Sequence, residues 1–382
     1  MKRNYVMMAM AAAMLASCAQ TGLVEEIAEE PQKAIGFSTF VDKATRAGDQ
    51  AENSTATYAQ GMNIHHETFK VWGFKNTSTT AVFDAVDVEY VAASTSVDGS
   101  SIPAHWKYDY LRYWDKAATD YYFYACAPAA PFTFTGTQEN GKFTIGTTGS
   151  EYEVEALNIS PQSSEAAQTS WKEKTESDLM IAAPCHLNGT SLSNAYTGKV
   201  GLNFIHILSR LNIVINKYGP SSTSIQVKNI TIGNMKYKGT FDEGTGVANN
   251  TIGTSSRWNK TDDKKDYSYA INYSVPSDKN NYVIEALIMP QATNLEEVTL
   301  DGTETKNEAY ITINYSLTSG LITEDFTACY NLAKVFGITS GTLDFNEGWQ
   351  NTLTITLDPQ AIAFTANTAP WVDKVTEELP IE

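Results

Sequence analysis

KVGLNFIHILSRLNIVIN, residues 199–216, is the longest apolar signal of the chain. Its apolar residues alternate with one parity up to Leu208 and with the other parity from Leu211 onward. The pattern therefore predicts either a strand with a bulge or bend near Leu208 to Arg210, or a strand buried on both faces. A helix fits less well because it would hold many β-branched residues. His206 within this run is expected to be a core histidine with a hydrogen-bond partner.

Short apolar segments follow, separated by Gly, Asn and Pro. They are Ile225 to Ile232, Tyr267 to Val275, Tyr282 to Met289, Ala309 to Leu317 and Leu353 to Leu357. Short strands with turn signals and no long amphipathic helix predict an all-β protein built of antiparallel sandwiches. A length of 382 residues favours two domains, and the polar segment Leu187 to Gly198 is the best candidate boundary.

Aromatic residues are dense between Trp106 and Pro131. Two aromatic runs flank the polar stretch Asp115 to Asp120, which suggests a hairpin. Packing within a sheet core is the favoured interpretation of these rings. The alternative is that exposed aromatics such as Trp106 or Trp114 form a stacking surface for glycans.

The segment IGFSTFVDKATRA, Ile35 to Ala47, combines a strand pattern with an exposed loop. Ile35, Phe37, Thr39 and Val41 share one face at the two-residue period of a strand. The small, polar and basic residues that follow, with Arg46 among them, indicate a loop that a protease can reach.

The composition excludes a nucleic-acid partner. Lys and Arg total 27 against 44 Asp and Glu, which gives a formal net charge of −17, whereas binding to phosphate backbones requires basic patches. The apolar content of 42% is sufficient for a substantial core.

The N-terminus resembles a bacterial lipobox. Lys2 and Arg3 precede the apolar stretch Val6 to Ala16, and Leu15-Ala16-Ser17-Cys18 ends it. This stretch is too short to span a bilayer as a helix. Residues 1–17 are therefore predicted to be a lipoprotein signal peptide, with Cys18 lipidated. Residues 18–33 are predicted to form an acidic tether.

No catalytic or metal-binding motif is present in the sequence. His65-His66-Glu67 is the nearest approach to a metal cluster, but adjacent side chains on a strand point to opposite faces. Cys126, Cys185 and Cys329 are widely spaced, so single buried thiols are expected. We expect neither enzymatic activity nor a cofactor.

Several of these features, in their order along the chain, resemble the fimbrillin-like (Mfa-like, FimA-type) lipoproteins of Bacteroides-type bacteria, which are subunits of surface pili and related adhesins. The segments that carry the resemblance are the lipobox at Cys18, Ile35-Gly36-Phe37 with Thr45-Arg46-Ala47, Tyr122 to Pro128, Leu202 to Leu211, and Phe345 to Leu357 with Ile362 and Trp371.

The resemblance implies two tandem transthyretin-like antiparallel β-sandwich domains, at residues 34–190 and 196–382. It also implies that an Arg-specific protease cuts after Arg46 and removes the first strand, whose plugging side chains are Ile35, Phe37, Thr39 and Val41. A strand from a neighbouring subunit then fills the groove, because an incomplete sandwich exposes apolar side chains and unpaired backbone groups. Ile362 to Thr365 and Trp371 to Ile381 are candidate donor strands.

The implied partners are other pilus subunits, the outer membrane through the lipid on Cys18, and a host or bacterial surface receptor. The implied location is the cell outer membrane or cell surface, in a fimbrium. A monomeric glycan-binding surface lipoprotein is the alternative.

Overall fold

The protein is almost entirely β-structure in the computed structural model, which confirms the predicted all-β class. The structure describes residues 33–41, 66–97, 99–156, 178–218, 222–244, 257–275, 281–296, 307–358 and 362–370. The arrangement as two transthyretin-like sandwiches stays a prediction.

The strands in these ranges are β1 (Phe37–Val41), β2 (Thr68–Lys75), β3 (Ser78–Val91), β4 (Ser94–Thr95), β5 (Ser101–Ile102), β6 (His105–Lys107), β7 (Asp120–Ala127), β8 (Phe132–Thr135), β9 (Lys142–Ile145), β10 (Tyr152–Glu153), β11 (Met180–Ala182), β12 (Cys185–Asn188), β13 (Val200–His206), β14 (Ser209–Lys217), β15 (Thr223–Lys236), β16 (Lys238–Asp242), β17 (Trp258–Lys260), β18 (Lys264–Ser274), β19 (Asn281–Ile288), β20 (Gln291–Asn294), β21 (Tyr310–Ser319), β22 (Ile322–Asn331), β23 (Thr342–Phe345), β24 (Trp349–Leu357) and β25 (Ile362–Pro370). The helices are α1 (Gly189–Thr197), α2 (Leu332–Val335) and a 3-10 turn at Gln138–Asn140.

The largest sheet has the order β1-β13-β11-β7-β2-β3-β6, and β12 also pairs with β7. A second sheet has five strands. In it, β10, β16, β9 and β8 lie in that order, and β17 pairs with β16. Since β16 and β17 come from the second half of the chain, the two halves share this sheet.

Two four-stranded sheets, β19-β14-β24-β25 and β18-β15-β21-β22, enclose the core of the second half. Their inward-facing residues are mainly Ile, Leu and Val, such as Ile213, Ile230 and Leu353, and all three are fully buried. Two-stranded sheets, β20-β23 and β4-β5, complete the fold.

The segment 199–216 is divided between two sheets. β13 ends at His206 and lies in the largest sheet, whereas β14 begins at Ser209 and lies between β19 and β24 in a different sheet. The apolar residues therefore change from even to odd positions because the chain leaves one sheet and enters another. The carbonyl groups of Ile207 and Leu208 at this crossing accept hydrogen bonds from the Trp258 indole N–H and the Gly348 backbone N–H, respectively.

The passage from β13 to β14 comes later in the chain than Leu187 to Gly198, the candidate domain boundary. Leu187 to Gly198 holds the end of β12 and helix α1, and the chain then returns to the largest sheet as β13 before it leaves it. The domain limits at 34–190 and 196–382 stay a prediction.

The predicted hairpin around Asp115 to Asp120 is wrong. β6 pairs with β3, and β7 pairs with β2, β11 and β12, so the two aromatic runs are not partners. The residues between β6 and β7 form an irregular segment. Its aromatic residues contact β1 and do not pair across a hairpin.

Two buried carboxylates lie close to the junction of the sheets. Glu347, which precedes β24, accepts hydrogen bonds from the backbone N–H and from Nε of Arg257, at 2.6 and 2.8 Å. Glu243 follows β16 and accepts the backbone N–H of Phe143 at 2.8 Å. Burial raises the pKa of Glu243 to about 7, although the Phe143 N–H and the charge of Arg257 oppose the shift. Burial also raises the pKa of Glu347.

The raised pKa of Glu243 predicts a specific pH dependence of stability. The folded chain binds this proton more tightly than the unfolded chain, whose ordinary value is 4.5. The protonated Glu243 carboxyl therefore contributes its full share to the free energy of unfolding below about pH 4.5, and this contribution is lost as the pH rises through about 7. We expect Glu243→Gln to match the wild type near the lower pH and to exceed its free energy of unfolding at about pH 8 by up to about 3 kcal/mol. Urea unfolding at both pH values measures this.

Asp325→Asn is the matched control, because the Asp325 side chain is 69% exposed and pairs with Lys228 at the surface. It should change stability by less than about 0.5 kcal/mol at either pH. A Glu243→Gln effect of equal size at both pH values would contradict the prediction.

Candidate functional site

Strand β1 lies at an edge of the largest sheet and pairs in parallel with β13. The register runs from Phe37 opposite Val200 to Val41 opposite Phe204. Within the described ranges, β13 is the one strand on which β1 forms a ladder. The main-chain attachment of β1 to the sheet therefore depends on a single neighbour.

The other side of β1 contacts the irregular segment between β6 and β7. The backbone N–H of Ile35 donates to the Arg112 carbonyl at 2.8 Å, and the Tyr108 hydroxyl donates to the Ile35 carbonyl at 2.6 Å. The Trp106 indole N–H donates to the Thr39 hydroxyl at 3.0 Å. Burial raises the pKa of Tyr108, so its hydroxyl stays protonated and able to donate at neutral pH.

Three of the four proposed plugging side chains are buried. Ile35, Phe37 and Thr39 are 1%, 2% and 0% exposed, and Val41 is half-buried. The groove that holds them is the space between β13 and the segment that starts at Trp106.

The Phe37 ring lies in an aromatic pocket. Its centroid is 5.2 Å from that of Phe83, 5.9 Å from those of Tyr108 and Phe123, and 6.5 Å from that of Phe69, all in edge-to-face geometry. Edge-to-face pairs add to the free energy of area burial. Phe37 is therefore the main anchor of β1.

Arg112 fixes the irregular segment, and sequence reasoning did not single it out. Its guanidinium lies 4.9 Å from the centroid of the Phe83 ring, and its Nε donates to the Val82 carbonyl at 2.7 Å. A second donor, Nη1, contacts the carbonyl groups of Asp109 and Tyr110 at 3.1 and 2.8 Å. An arginine within an aromatic run was the available signal, since guanidinium groups stack on aromatic faces.

The proposed aromatic surface for glycans is wrong at both tryptophans that were named for it. Trp106 is 7% exposed and Trp114 is 4% exposed, and both belong to the core around β1. Their indole rings pack in edge-to-face geometry against other rings, such as Phe69 for Trp106 and Tyr121 for Trp114. Neither is available for stacking on a sugar.

Buried histidines near the end of β13 have structural partners. His206 Nδ1 lies 3.0 Å from Asp178 Oδ1, and His66 Nε2 lies 2.7 Å from the Asp178 carbonyl oxygen. His206 is thus a core histidine, as expected. In the part of the chain that the structure describes, no three His, Cys, Asp or Glu side chains are grouped to hold a metal ion.

The cysteines Cys126, Cys185 and Cys329 are free thiols, as predicted, but Cys185 is half-buried whereas the other two are buried. Burial raises the pKa of Cys126 and raises that of Cys185 to about 12. Since the thiolate is the reactive form, a raised pKa lowers the reactivity of these two thiols at neutral pH.

Other residues of the predicted site lie outside the described residues. These are Cys18, Arg46 and the candidate donor Trp371 to Ile381. The other candidate donor, Ile362 to Thr365, begins β25, a half-exposed strand at the edge of its sheet that pairs antiparallel with β24. Over the described ranges, no helix has both the length and the apolar character needed to cross a membrane.

The solved structures to which this chain is similar include three from Bacteroides species. A fimbrial protein from Bacteroides vulgatus has 15% identity and a TM-score of 0.47, with 89% of this chain and 99% of that chain covered. A "putative cell adhesion protein" from Bacteroides uniformis has 16% identity and a TM-score of 0.40, with 90% and 98% covered. Another protein with this description, from Bacteroides ovatus, has 13% identity and a TM-score of 0.43, with 90% and 100% covered.

No curated protein matches the chain. The model of the fimbrillin-like family matches residues 45–371, which is most of the sequence. This match begins after β1 and continues beyond β25, so it includes the groove and both halves of the chain. The chain therefore belongs to the fimbrillin-like family.

Proposed function

We propose that the protein is a non-enzymatic subunit or adhesin of a surface pilus, exported as a lipoprotein precursor with its lipid on Cys18. Cleavage after Arg46 removes β1, and a strand from another subunit takes its place. The observation that supports this most directly is the position of β1, which is an edge strand with buried side chains and, among the described strands, a single ladder partner.

Loss of β1 uncovers groups that need a replacement. One row of β13 backbone N–H and C=O groups loses its partners, and the pockets of Ile35 and Phe37 are opened to water. Each of these two side chains contributes roughly 1.5–3 kcal/mol by its burial. An incoming strand restores both the ladder and the apolar contacts, which is the driving force for strand addition.

The order of residues along the chain supports cleavage at Arg46. This residue lies between the end of β1 at Val41 and the resumption of the described chain at His66. A cut there separates both β1 and Cys18 from the remaining sheets. Once the cut β1 leaves, the groove is free and the subunit is detached from its lipid.

Arg46→Ala is expected to leave the folded precursor intact and to abolish its conversion by an Arg-specific protease. N-terminal sequencing or mass spectrometry of surface material should then find chains that begin at Cys18, and denaturant-resistant ladders on gels should be lost. Lys43→Ala is the matched control in the same loop and should be processed normally. Wild-type surface material that begins only at Cys18 would contradict the proposed cleavage.

Phe37→Ala is expected to lower the free energy of unfolding of the uncleaved chain by about 3–5 kcal/mol, since it empties a buried aromatic pocket. Urea unfolding followed by tryptophan fluorescence measures the change. Val97→Ala is the control, because Val97 is fully exposed and should change stability by less than about 0.5 kcal/mol. If the two variants were equally stable, β1 would not be held by the Phe37 pocket.

A further inference from the structure

A buried side-chain donor in the groove of β1 has its acceptor on a side chain of the removable strand. The Trp106 indole N–H donates to the Thr39 hydroxyl at 3.0 Å, and Thr39 is fully buried. Thr39 is buried in the same groove as Ile35 and Phe37, and it is the polar one of these three residues.

The surroundings of the Trp106 ring are aromatic. Its centroid lies 4.9 Å from that of Phe69 and 5.4 Å from that of Tyr90, both in edge-to-face geometry. These rings hold the indole in place. A buried N–H group that loses its acceptor incurs the full cost of desolvation, which exceeds the gain from an ordinary hydrogen bond.

We propose, on the basis of the strand replacement described above, that this groove selects its incoming strand by a hydroxyl at the position of Thr39. The preferred strand carries an aliphatic residue, an aromatic residue and then Thr or Ser at alternate positions, so that they occupy the places of Ile35, Phe37 and Thr39. The first two fill apolar pockets, and the third accepts the Trp106 N–H.

Strand β25 of a second copy meets this requirement only in part. Its sequence begins Ile362-Ala-Phe364-Thr-Ala366, so the aliphatic and aromatic residues are in place but alanine stands where β1 has Thr39. A shift by two residues brings Thr368 to Trp106, but it then puts Ala366 into the Phe37 pocket. The favoured partner is therefore a strand other than β25 that carries this aliphatic, aromatic and hydroxyl pattern.

The test uses the full chain nicked after Arg46, with a single cut verified by mass spectrometry, and fluorescent peptides that compete with β1. The peptide of residues 33–42 is compared with its Thr39→Ser and Thr39→Val forms. The Ser form should bind about as tightly as the wild type. The Val form has nearly the same shape but lacks an acceptor, and it should bind about tenfold to a hundredfold more weakly.

A peptide of residues 360–369 tests β25 directly. It should bind more weakly than residues 33–42, and its Ala366→Thr form should regain about tenfold in affinity. The control is the Trp106→Phe chain, which lacks the indole donor. In that chain, the Thr39→Val and Ala366→Thr changes should no longer alter affinity by more than about twofold.

The outcomes separate this inference from the function on which it rests. If the wild-type peptide does not enter the nicked chain, strand replacement fails. The hydroxyl preference is then tested in the uncleaved chain. The changes in the free energy of unfolding caused by Thr39→Val and Trp106→Phe should not add up to the change in the double variant. If the peptide enters but the Val form binds as tightly as the wild type, or the single effects are additive, the proposed selection is overturned.

Discussion

The parallel ladder between β1 and β13 is the contact that closes the groove in the first half of the structure. β13 lies between β1 and β11, and the chain passes directly from it into β14, which is central in a sheet of the second half. The groove is therefore attached to a strand that cannot move without disturbing both cores. Removal of β1 leaves β13 in position as an edge with unpaired backbone groups. A main-chain edge accepts any strand, so discrimination must come from the side chains that line the groove.

Buried polar groups in this protein fall into two kinds. His206 with Asp178, and Glu347 with Arg257, have partners that do not belong to the first strand, so their hydrogen bonds do not depend on β1. Trp106 differs, because its indole N–H donates to a residue of the strand that is proposed to leave. A polar group of this kind adds little to overall affinity but penalises strands that lack an acceptor, which is how unpaired groups produce specificity. The hydrogen bond between Trp106 and Thr39 therefore discriminates between incoming strands more strongly than the larger apolar contacts of Phe37 do.

The sequence predicts the all-β class and the alternation of Ile35, Phe37 and Thr39, because both follow from local periodicity. It does not predict the neighbours of those residues. Thr39 and Trp106 are 67 positions apart, and a two-residue period contains no information on which distant segment covers a strand. For the same reason, the change of parity near Leu208 indicated a bulge or bend, whereas the structure has a change of sheet. The sequence also does not predict how exposed the aromatic residues are, because a tryptophan such as Trp106 or Trp114 suits a buried core and a binding surface equally well.

The placement of the lipid relative to the groove has a further consequence for assembly. On the proposed function, β1 and Cys18 lie on the same side of the cut at Arg46, so an uncut subunit is both anchored and closed. An open groove is an aggregation hazard, because its unpaired backbone groups and apolar pockets pair with any available strand. On the proposed function, the groove opens only when the cut β1 leaves, and β1 carries the lipid with it, so an open groove belongs to a subunit that has left the membrane tether. On the proposed function, the same peptide bond therefore controls both the protection of the groove and the release of the subunit.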